Sequence, residues 1–571
     1  MKTEFFVKYD LYDTTALQDA EETSQSNAEF GNLALMKEDV LTPNYGTLEH
    51  NFFVLDGSME EFPDDPDNLA YFSSGISGED GTFDREQSVD IQFTENHTSI
   101  GITMHFLDVF PMELKIRWYD IYGIFIEEKT FYPDSIDYFC KNQVEEYARI
   151  EIIFIKTLPY HNVKLQRLEY GTTITWGSDT IKSASLVRST DVISDKISMD
   201  SLTFEFVDAE EEFNIGNAKG MHRTFQKTQK MFPYEIVDGE TVPLGVFFLD
   251  GNSTTKNISK ISAIDYKGTL DNTNFKNGKI YDGESAGNVI DVIMATAGIT
   301  DYTVDEETKN TLLYGTLGIQ TCRTALREVL FACGSIISTA STTVEIRKWT
   351  KDIKEEIPRS RKFSTSYSTD HYVSDVNVKY KTWVLDDKIS QLTKGTYPAG
   401  IHTIQFSNPA VEITASAGLI TESHPYYIIL KLDSDEDVVI SGKKYISEEL
   451  SVLSSIEHIK AGEVRNTKTF SGTLLNFESA KRAAENILDY YQLQQIINVR
   501  YLSNIEKTGD FVSIENPDKR RGGFVASLES VATDLTGGFI STAKCRGYYK
   551  MTAEYYYTGE EIYSGNEVGI L

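Results

Sequence analysis

Short runs in which apolar and polar residues alternate recur along most of the chain. In one of them, Met112, Leu114, Ile116 and Trp118 are separated by charged residues. The same spacing occurs in further runs: Val89, Ile91 and Phe93; Ala148, Ile150, Ile152 and Phe154; Leu202, Phe204 and Phe206. A period of two is typical of strands with one buried face. Because Gly, Asn and Asp separate the runs, the pattern predicts a mainly β fold with few helices.

Three stretches have the period of an α-helix instead. Ser285 and Gly298 bracket the first, Thr321 and Gly334 bracket the second, and Asn476 precedes the third. Ser, Thr and Asn are frequent N-caps and Gly frequently ends a helix, so each stretch predicts a helix with one buried face. The apolar stripes are Ala286, Val289, Ile290, Ile293 and Ala297; Cys322, Ala325, Leu326, Val329, Leu330 and Cys333; and Ala480, Ala483, Ala484, Ile487, Leu488 and Tyr491.

A chain of 571 residues with these patterns is expected to contain several domains. We predict one β unit over 1–170, a second β region from Gly171, a small α/β domain over 283–349, and then further strands with one embedded helix. Residues 13–27 are polar and without periodicity, which predicts a loop or mobile arm. The charged, Pro-containing stretch 348–362 is interpreted as a linker or exposed loop.

The net charge of −33 is spread along the chain, so it belongs to the surfaces of folded domains. This balance excludes a basic nucleic-acid-binding protein. Glu4 and Asp10 interrupt the stretch where a signal peptide needs apolar residues, and no run reaches the roughly 20 apolar residues of a membrane-spanning helix. We therefore expect a soluble protein without an export signal.

The four cysteines are too few and too scattered for a disulfide framework: Cys140, Cys322, Cys333 and Cys545. Two of them fall on the apolar face of the second predicted helix. Buried free thiols, in a protein made in a reducing cytosol, are the prediction.

Two acidic clusters are candidates for calcium binding. Asp433, Asp435 and Asp437 copy the start of an EF-hand loop, but Val438 replaces its glycine and Lys444 its bidentate glutamate, which favours a solvated turn. A second cluster, in a loop of the N-terminal unit, offers oxygen ligands for a structural Ca²⁺: Asp56, Asp64, Asp65 and Asp67. No other cofactor is expected.

Motifs of the common enzyme classes are absent from the sequence. There is no HExxH pair, no zinc spacing, no Walker loop, no GxGxxG after a strand and no GxSxG elbow. A glycosidase carboxylate pair stays open, because its two members meet only in space and the chain has 87 Asp and Glu residues. We predict that the protein is not an enzyme.

The segment 312–348 resembles a passage of phage tail proteins of the baseplate-hub class. In that passage a Thr-x-Arg helix ends in Ala-Cys-Gly and a strand pair follows. The matching residues here are Thr321, Arg323, Leu326, Ala332 and Gly334. By themselves these residues carry folding information, since Leu326 packs and Gly334 ends a helix.

A second part of the resemblance lies near the C-terminus. An Ala-rich helix over 480–491 is followed by a strand, by the turn Gly509-Asp510, and by Leu535-Thr536-Gly537-Gly538. Together with the β region from Gly171, the matches cover about 400 residues in the order expected of a hub.

The resemblance implies a homotrimer whose two β-barrels per subunit form a six-barrel ring between the sixfold tail tube and the threefold spike of a contractile tail. The implied domains are a jelly-roll β-sandwich (1–170), a first barrel (171–282), the small α/β domain (283–349), a second, discontinuous barrel (350–550, with an insertion at about 409–494) and a C-terminal tail (551–571). Implied partners are the tube protein or a tube-end adaptor, the spike, neighbouring baseplate proteins and the tape-measure protein. Assembly is expected in the bacterial cytoplasm, and the mature location is the baseplate of an extracellular particle.

The run LDGSMEEFPDDPDNLAYFSSGISGEDGTF, which begins at Leu55, is followed by strands and by Leu168-Glu169-Tyr170-Gly171 at the exit. In these features residues 28–170 resemble the galactose-binding-like jelly rolls that decorate some phage tail proteins of Gram-positive hosts. Phe62, Tyr71 and Phe72 are the candidate sugar-binding aromatics, although packing in a core or loop is the more common role for such residues. A carbohydrate-binding tail adhesin and a tail-associated cell-wall hydrolase are therefore alternative functions to the hub.

The charge has a consequence for a hub. Three chains around a channel would carry −99, and an acidic wall repels phosphate, so DNA would pass without specific binding. A bacteriocin-type particle has the same kind of tail but carries no genome. The charge therefore does not distinguish a phage from a bacteriocin.

Overall fold

The computed structural model describes residues 3–38, 46–47, 49–50, 56–57, 59, 69–217, 220–459, 462–504, 506–515, 523–550, 556–558 and 561–563. Strands make up 55% and helices 12%, which confirms the mainly β prediction. No helix in these ranges is long and apolar enough to cross a membrane.

The N-terminal unit is inserted into a β-hairpin. The chain begins with β1 (Thr3–Tyr12) and, after the inserted unit, returns as a strand over Gly171–Trp176 that pairs antiparallel with β1, with Tyr12 opposite Gly171. The inserted unit contains α1 (Ala16–Asp19), a 3-10 helix (Leu33–Lys37), β2 (Glu21–Thr23), β3 (Tyr71–Phe72), β4 (Thr82–Phe106), β5 (Glu113–Tyr119), β6 (Phe125–Phe131), β7 (Asp137–Lys156) and β8 (Lys164–Glu169).

This insertion changes the predicted boundary at residue 170. The boundary assigns β1 to the N-terminal unit, whereas β1 is hydrogen-bonded on both sides to strands of the following unit. The predicted loop over 13–27 also contains α1 and β2, and Ala16 and Ala20 are buried in the core of the inserted unit. Strands β2 to β8 form one seven-stranded sheet.

The next unit is a barrel, called the first barrel here. Its strands are β1, β9 (Gly171–Trp176), β10 (Ile181–Ser189), β11 (Ser201–Val207), β12 (Lys230–Val237), β13 (Glu240–Pro243), β14 (Phe247–Thr255) and β15 (Ile258–Asp265). A short 3-10 helix over Met221–Thr224 lies between β11 and β12. Four strands separate β9 from β11 in the sheet, yet the Trp176 ring lies 5.4 Å and 4.6 Å from Phe204 and Phe206 on β11. The part of the sheet from β10 to β9 therefore curls so that β9 and β11 contribute to one core.

An α/β body follows the first barrel. Its elements are α2 (Tyr266–Thr269), β16 (Asn274–Phe275), β17 (Ile280–Ser285), α3 (Ala286–Thr296), β18 (Tyr302–Val304), α4 (Glu306–Lys309), β19 (Leu312–Thr316), β20 (Gln320–Thr321), α5 (Cys322–Cys333), β21 (Ser335–Ser338) and β22 (Val344–Lys348). As predicted, Ser285 and Thr321 cap α3 and α5 through side-chain oxygens that accept backbone N–H groups, and Gly334 ends α5 at φ 66°.

The second barrel starts with β23 (Ile353–Ile357), a 3-10 helix (Arg359–Arg361) and β24 (Lys362–Thr369). The predicted linker 348–362 thus contains a strand, and Ile357 lies in the barrel core. A long insertion follows, with β25 (Asp375–Tyr397), β26 (Gly400–Gln405), β27 (Ala410–Ala415), β28 (Leu419–His424), β29 (Tyr427–Leu432), β30 (Glu436–Ser455), β31 (Thr467–Ser471) and α6 (Phe477–Tyr491). It begins with β25, earlier than the predicted residue 409, because β25 pairs with β30 and β31 and not with the barrel.

The barrel resumes with β32 (Gln495–Leu502), β33 (Phe511–Glu515), β34 (Gly523–Asp534) and β35 (Ile540–Lys550); β36 (Tyr556–Thr558) and β37 (Glu561–Tyr563) pair with each other. The first half of β34 pairs with β33, and its second half pairs with β10 of the first barrel, from Ser185 opposite Asp534 to Ser189 opposite Ser530. Both barrels therefore belong to one 14-stranded sheet.

Candidate assembly surfaces and ligand sites

Two of the three aromatic residues that the sequence suggested for sugar binding, Tyr71 and Phe72, do not present open ring faces. Tyr71 and Phe72 are 1% and 5% exposed. Tyr71 stacks on Phe154 with 5.4 Å between ring centroids, and Phe72 meets Phe30 edge-on at 4.9 Å. Phe62 lies outside the described residues.

The acidic clusters show no metal-binding geometry where they are described. Asp435 accepts the Ala399 N–H at 3.0 Å and Asp437 accepts the Thr396 hydroxyl at 2.5 Å, so two carboxylates of the EF-hand-like cluster brace a turn. Asp64, Asp65 and Asp67 of the other cluster lie outside the described residues. In the described part of the chain, no group of three or more His, Cys, Asp or Glu could hold a metal ion.

The residues of α5 and its caps that carried the resemblance serve packing and capping. Arg323 forms an ion pair with Asp271, and Leu326 is fully buried. The four cysteines are free and buried, as predicted, and burial raises the pKa of the Cys333 thiol to about 11. A thiol with so high a pKa stays protonated at neutral pH and is a poor nucleophile.

The turn at Gly509-Asp510 joins the second barrel to the α/β body. Gly509 has φ 88°, and a Cβ there would lie 2.5 Å from Ile336 Cδ1, so a larger residue would clash with the body. Asp510 forms an ion pair with Arg347 at 2.5 Å, and Thr190 donates to Thr508 at 2.8 Å. The sequence analysis named this turn as part of the C-terminal resemblance. In the structure its contacts connect the second barrel to neighbouring domains.

A buried charge cluster connects the first barrel to the α/β body. Lys267 Nζ lies 2.7 Å from Asp200 Oδ1 and 3.4 Å from Asp265 Oδ2, and Thr339 donates to Asp265 at 2.5 Å. Burial alone would lower the pKa of Lys267, but Asp265 and Asp200 outweigh it and raise that pKa; burial raises the pKa of Asp265. The sequence did not reveal this cluster, because its members come from separate segments and each looks like a surface residue. All three charged side chains are at most 2% exposed, so the cluster holds the domains together and has no access to a substrate.

A second charge cluster, the His97 clasp, fixes the start of the N-terminal unit. Nδ1 of His97 lies 2.9 Å from Asp13 Oδ2, and Nε2 lies 2.9 Å from Asp19 Oδ2. Because both partners are acceptors, the ring bonds to both when it carries two protons. Burial would lower the pKa of His97, but the hydrogen bonds from the ring to the two carboxylates raise it above its usual value. Burial would likewise raise the pKa of Asp13, which hydrogen bonds from His97 and Thr15 lower.

The clasp predicts a stability difference that depends on pH. A raised pKa in the folded state gives stability that is fully present below about 6.5 and is lost as the pH rises through the folded pKa. We expect His97→Gln to lower the thermal midpoint at pH 6, and the difference from wild type to shrink towards pH 9. Thermal melts of both proteins at four pH values measure this. A difference that stays constant over the range would contradict a doubly protonated His97.

Large apolar side chains are exposed at several places on the described surface, and aromatic side chains are among them at two of these. The turn between β5 and β6 presents Ile121, Tyr122, Ile124 and Phe125, with Tyr122 86% exposed, and Asp120 fixes the turn by accepting N–H groups within it. On the second barrel, strand β24 presents Phe363 and Tyr367, which are 59% and 51% exposed. Apolar patches on an acidic surface are typical of contact sites for other proteins.

Comparisons with known proteins gave structural matches of low similarity. No family model and no curated protein matches the chain. A tail protein from Neisseria meningitidis has a TM-score of 0.40 and 11% identity, over 64% of this chain and 92% of its own. The 43 kDa tail protein of prophage MuSo2 from Shewanella oneidensis has 0.37 and 9%, over 64% and 97%. A prophage tail protein from Listeria monocytogenes has 0.38 and 8%, over 66% and 92%. Similarity at this level does not establish a shared function. The function of this protein has to be inferred from its own residues.

Proposed function

We propose that this protein is the structural hub of a phage-like contractile tail, a homotrimer that adapts the sixfold tail tube to the threefold spike. Its partners would be the tube protein or a tube-end adaptor, the spike, and neighbouring baseplate and tape-measure proteins. The N-terminal unit would be a jelly-roll appendage.

The observation that supports this proposal best is the fusion of two barrels through β34. A single sheet runs through both barrels, so their relative position is fixed by backbone hydrogen bonds. Three such pairs around a threefold axis would form a ring of six barrels. The six barrels could contact a sixfold ring on one side, and the three subunits could contact a threefold partner on the other. The contacts at Gly509-Asp510 and Lys267 would keep the α/β body fixed to both barrels.

The exposed aromatics of β24 are the candidate contact between neighbouring subunits. Phe363 and Tyr367 lie on a strand that is hydrogen-bonded to β32 on one side. Burying two large aromatic side chains contributes about 1.5–3 kcal/mol each, which matters for a trimer formed from separate chains. The acidic charge would keep the channel from binding DNA.

Measuring the mass of the purified chain tests the trimer. For the chain alone we expect about three times 64.5 kDa by light scattering, and with the spike protein added we expect three copies of the chain in a complex whose mass also includes the spike. Phe363→Glu should shift the mass towards the monomer, because it places a charge in the proposed contact, whereas Tyr122→Glu in the N-terminal unit should leave the trimer intact. A chain that stays monomeric with tube and spike proteins present would refute the hub role.

A further inference from the structure

An aromatic cleft lies between the α/β body and the long β25–β30 hairpin. Strands β17 and β19 form one wall, and β25 and β30 form the other. The cleft has a volume of about 550 Å³ and is lined by three half-buried aromatic residues, Tyr314, Trp383 and Tyr445. Tyr281 also lies at its wall, but its ring is only 4% exposed and packs in the core of the α/β body. Tyr314 lies in the segment 312–348 that the sequence analysis singled out, but none of the four is among the matching residues of that segment.

Backbone pairing fixes the position of each wall. On the first, Tyr281 lies opposite Gly315 and Asp282 opposite Tyr314. Gly315 has φ 116°, and a Cβ there would lie 2.1 Å from the Thr473 carbonyl oxygen, so glycine allows β19 to lie against the segment that leads into α6. On the second wall, Trp383 lies opposite Ser447 within the long hairpin. The aromatic residues are thus held on rigid strands and not on loops.

Polar side chains accompany the rings. Asp282, Lys381 and Asn476 also line the cleft, and they supply a carboxylate, an ammonium and an amide group. The indole N–H of Trp383 is buried without a hydrogen-bond partner.

We propose that this cleft binds a neutral oligosaccharide. A sugar ring has an apolar C–H face that fits against an aromatic ring, and its hydroxyl groups both donate and accept hydrogen bonds, which suits a mixed set of carboxylate, amide and ammonium partners. One carboxylate and one ammonium balance in charge, while the chain as a whole carries −33, which disfavours an anionic glycan. An extended apolar peptide would leave Asp282 and Lys381 desolvated without partners.

The site is distinct from the residues that sequence analysis suggested for sugar binding in the N-terminal unit. It also goes beyond the hub role, since binding at the cleft requires neither a trimer nor a spike. A hub with such a cleft would contact glycan of a cell wall directly.

The test uses the full chain and an array of neutral and anionic glycans, followed by titration calorimetry with chito-, malto- and cello-oligosaccharides of three to six units. We expect a neutral oligosaccharide to bind, Trp383→Ala and Tyr314→Ala each to weaken binding at least ten-fold, and Trp383→Phe to weaken it less, because the ring face stays. Trp349→Phe is the matched control, since Trp349 packs against Tyr490 and Phe511 away from the cleft. It should bind as wild type does.

Three results would overturn the proposal. The first is that no neutral glycan binds. The second is that anionic glycans or a Pro-rich peptide bind and neutral glycans do not. The third is that Trp383→Phe and Trp383→Ala, both with wild-type melting, bind the oligosaccharide as well as the wild type does. Because the trimer is measured by mass, failure of the glycan proposal and failure of the hub proposal are distinguishable.

Discussion

The substitution Leu326→Asp is expected to unfold the α/β body and to lower the free energy of unfolding by about 4 kcal/mol or more. Leu326 is fully buried on the inner face of α5. The change removes a buried leucine and leaves a carboxylate there without a partner, and both effects destabilise the folded state. Urea unfolding followed by circular dichroism measures the loss.

The effect should reach beyond α5. The core around Leu326 also contains Val376 and Val378 from the start of β25 and Ala480 and Ala484 from α6. Residues from the two ends of the second barrel's insertion thus share one core with α5, so loss of packing at Leu326 should release the base of the long hairpin as well. We expect the variant to lose oligomerisation together with helix signal.

Val292→Asp is the matched control for Leu326→Asp. Val292 lies on the neighbouring helix α3 but is 42% exposed, so the same charge meets water there. The expected loss is below about 1 kcal/mol, the sum of a surface change and a small drop in helix propensity. Equal losses for the two variants, or wild-type melting of Leu326→Asp, would mean that the buried face of α5 is assigned incorrectly.

The helices could be predicted because their signals are local. A cap, a stripe of apolar residues and a terminating residue lie within about fifteen positions, and the Asn476 capping box at α6 is readable from a few neighbours. Strand pairing has no such local signal. Phe5, Val7, Tyr9 and Leu11 form the buried face of β1, but such an alternation does not specify which sheet a strand joins. For this reason the predicted unit 1–170 includes β1, although β1 pairs with strands of the first barrel.

The same limit applies to the sites. The sequence around an aromatic residue such as Tyr71 does not show whether its ring is buried or faces a ligand. The Lys267 cluster and the aromatic cleft each combine residues from segments that are far apart, and neither follows a spacing rule. The structure of a short charged stretch is also difficult to predict from sequence. Part of the predicted linker 348–362 is the barrel strand β23, whose Ile357 lies in the barrel core. In each case the outcome depends on contacts between segments that are far apart in the chain. The periodicity of a single sequence does not reveal such contacts.

The hairpin insertion predicts opposite results for two deletions of the N-terminal unit. Deleting 1–170 removes β1, and with it four buried side chains of the first barrel: Phe5, Val7, Tyr9 and Leu11. At about 1.5–3 kcal/mol for each buried side chain, the loss is comparable to the whole stability of a typical domain. A chain of 171–571 should therefore aggregate or lack the first barrel.

Excising 13–170 while keeping β1 should instead leave the barrels folded. Tyr12 and Gly171 are directly opposite each other in the β1–β9 ladder, so a two-residue Asn-Gly turn can join them without a change of register. The excision does remove Ile100 and Phe139, which pack on the barrel core from the N-terminal unit, so a modest drop in thermal midpoint is expected. Light scattering and co-purification with tube and spike proteins compare the two deletions. If the excised chain aggregates as readily as 171–571, the N-terminal unit is an integral part of the first barrel, and its role as an appendage is refuted.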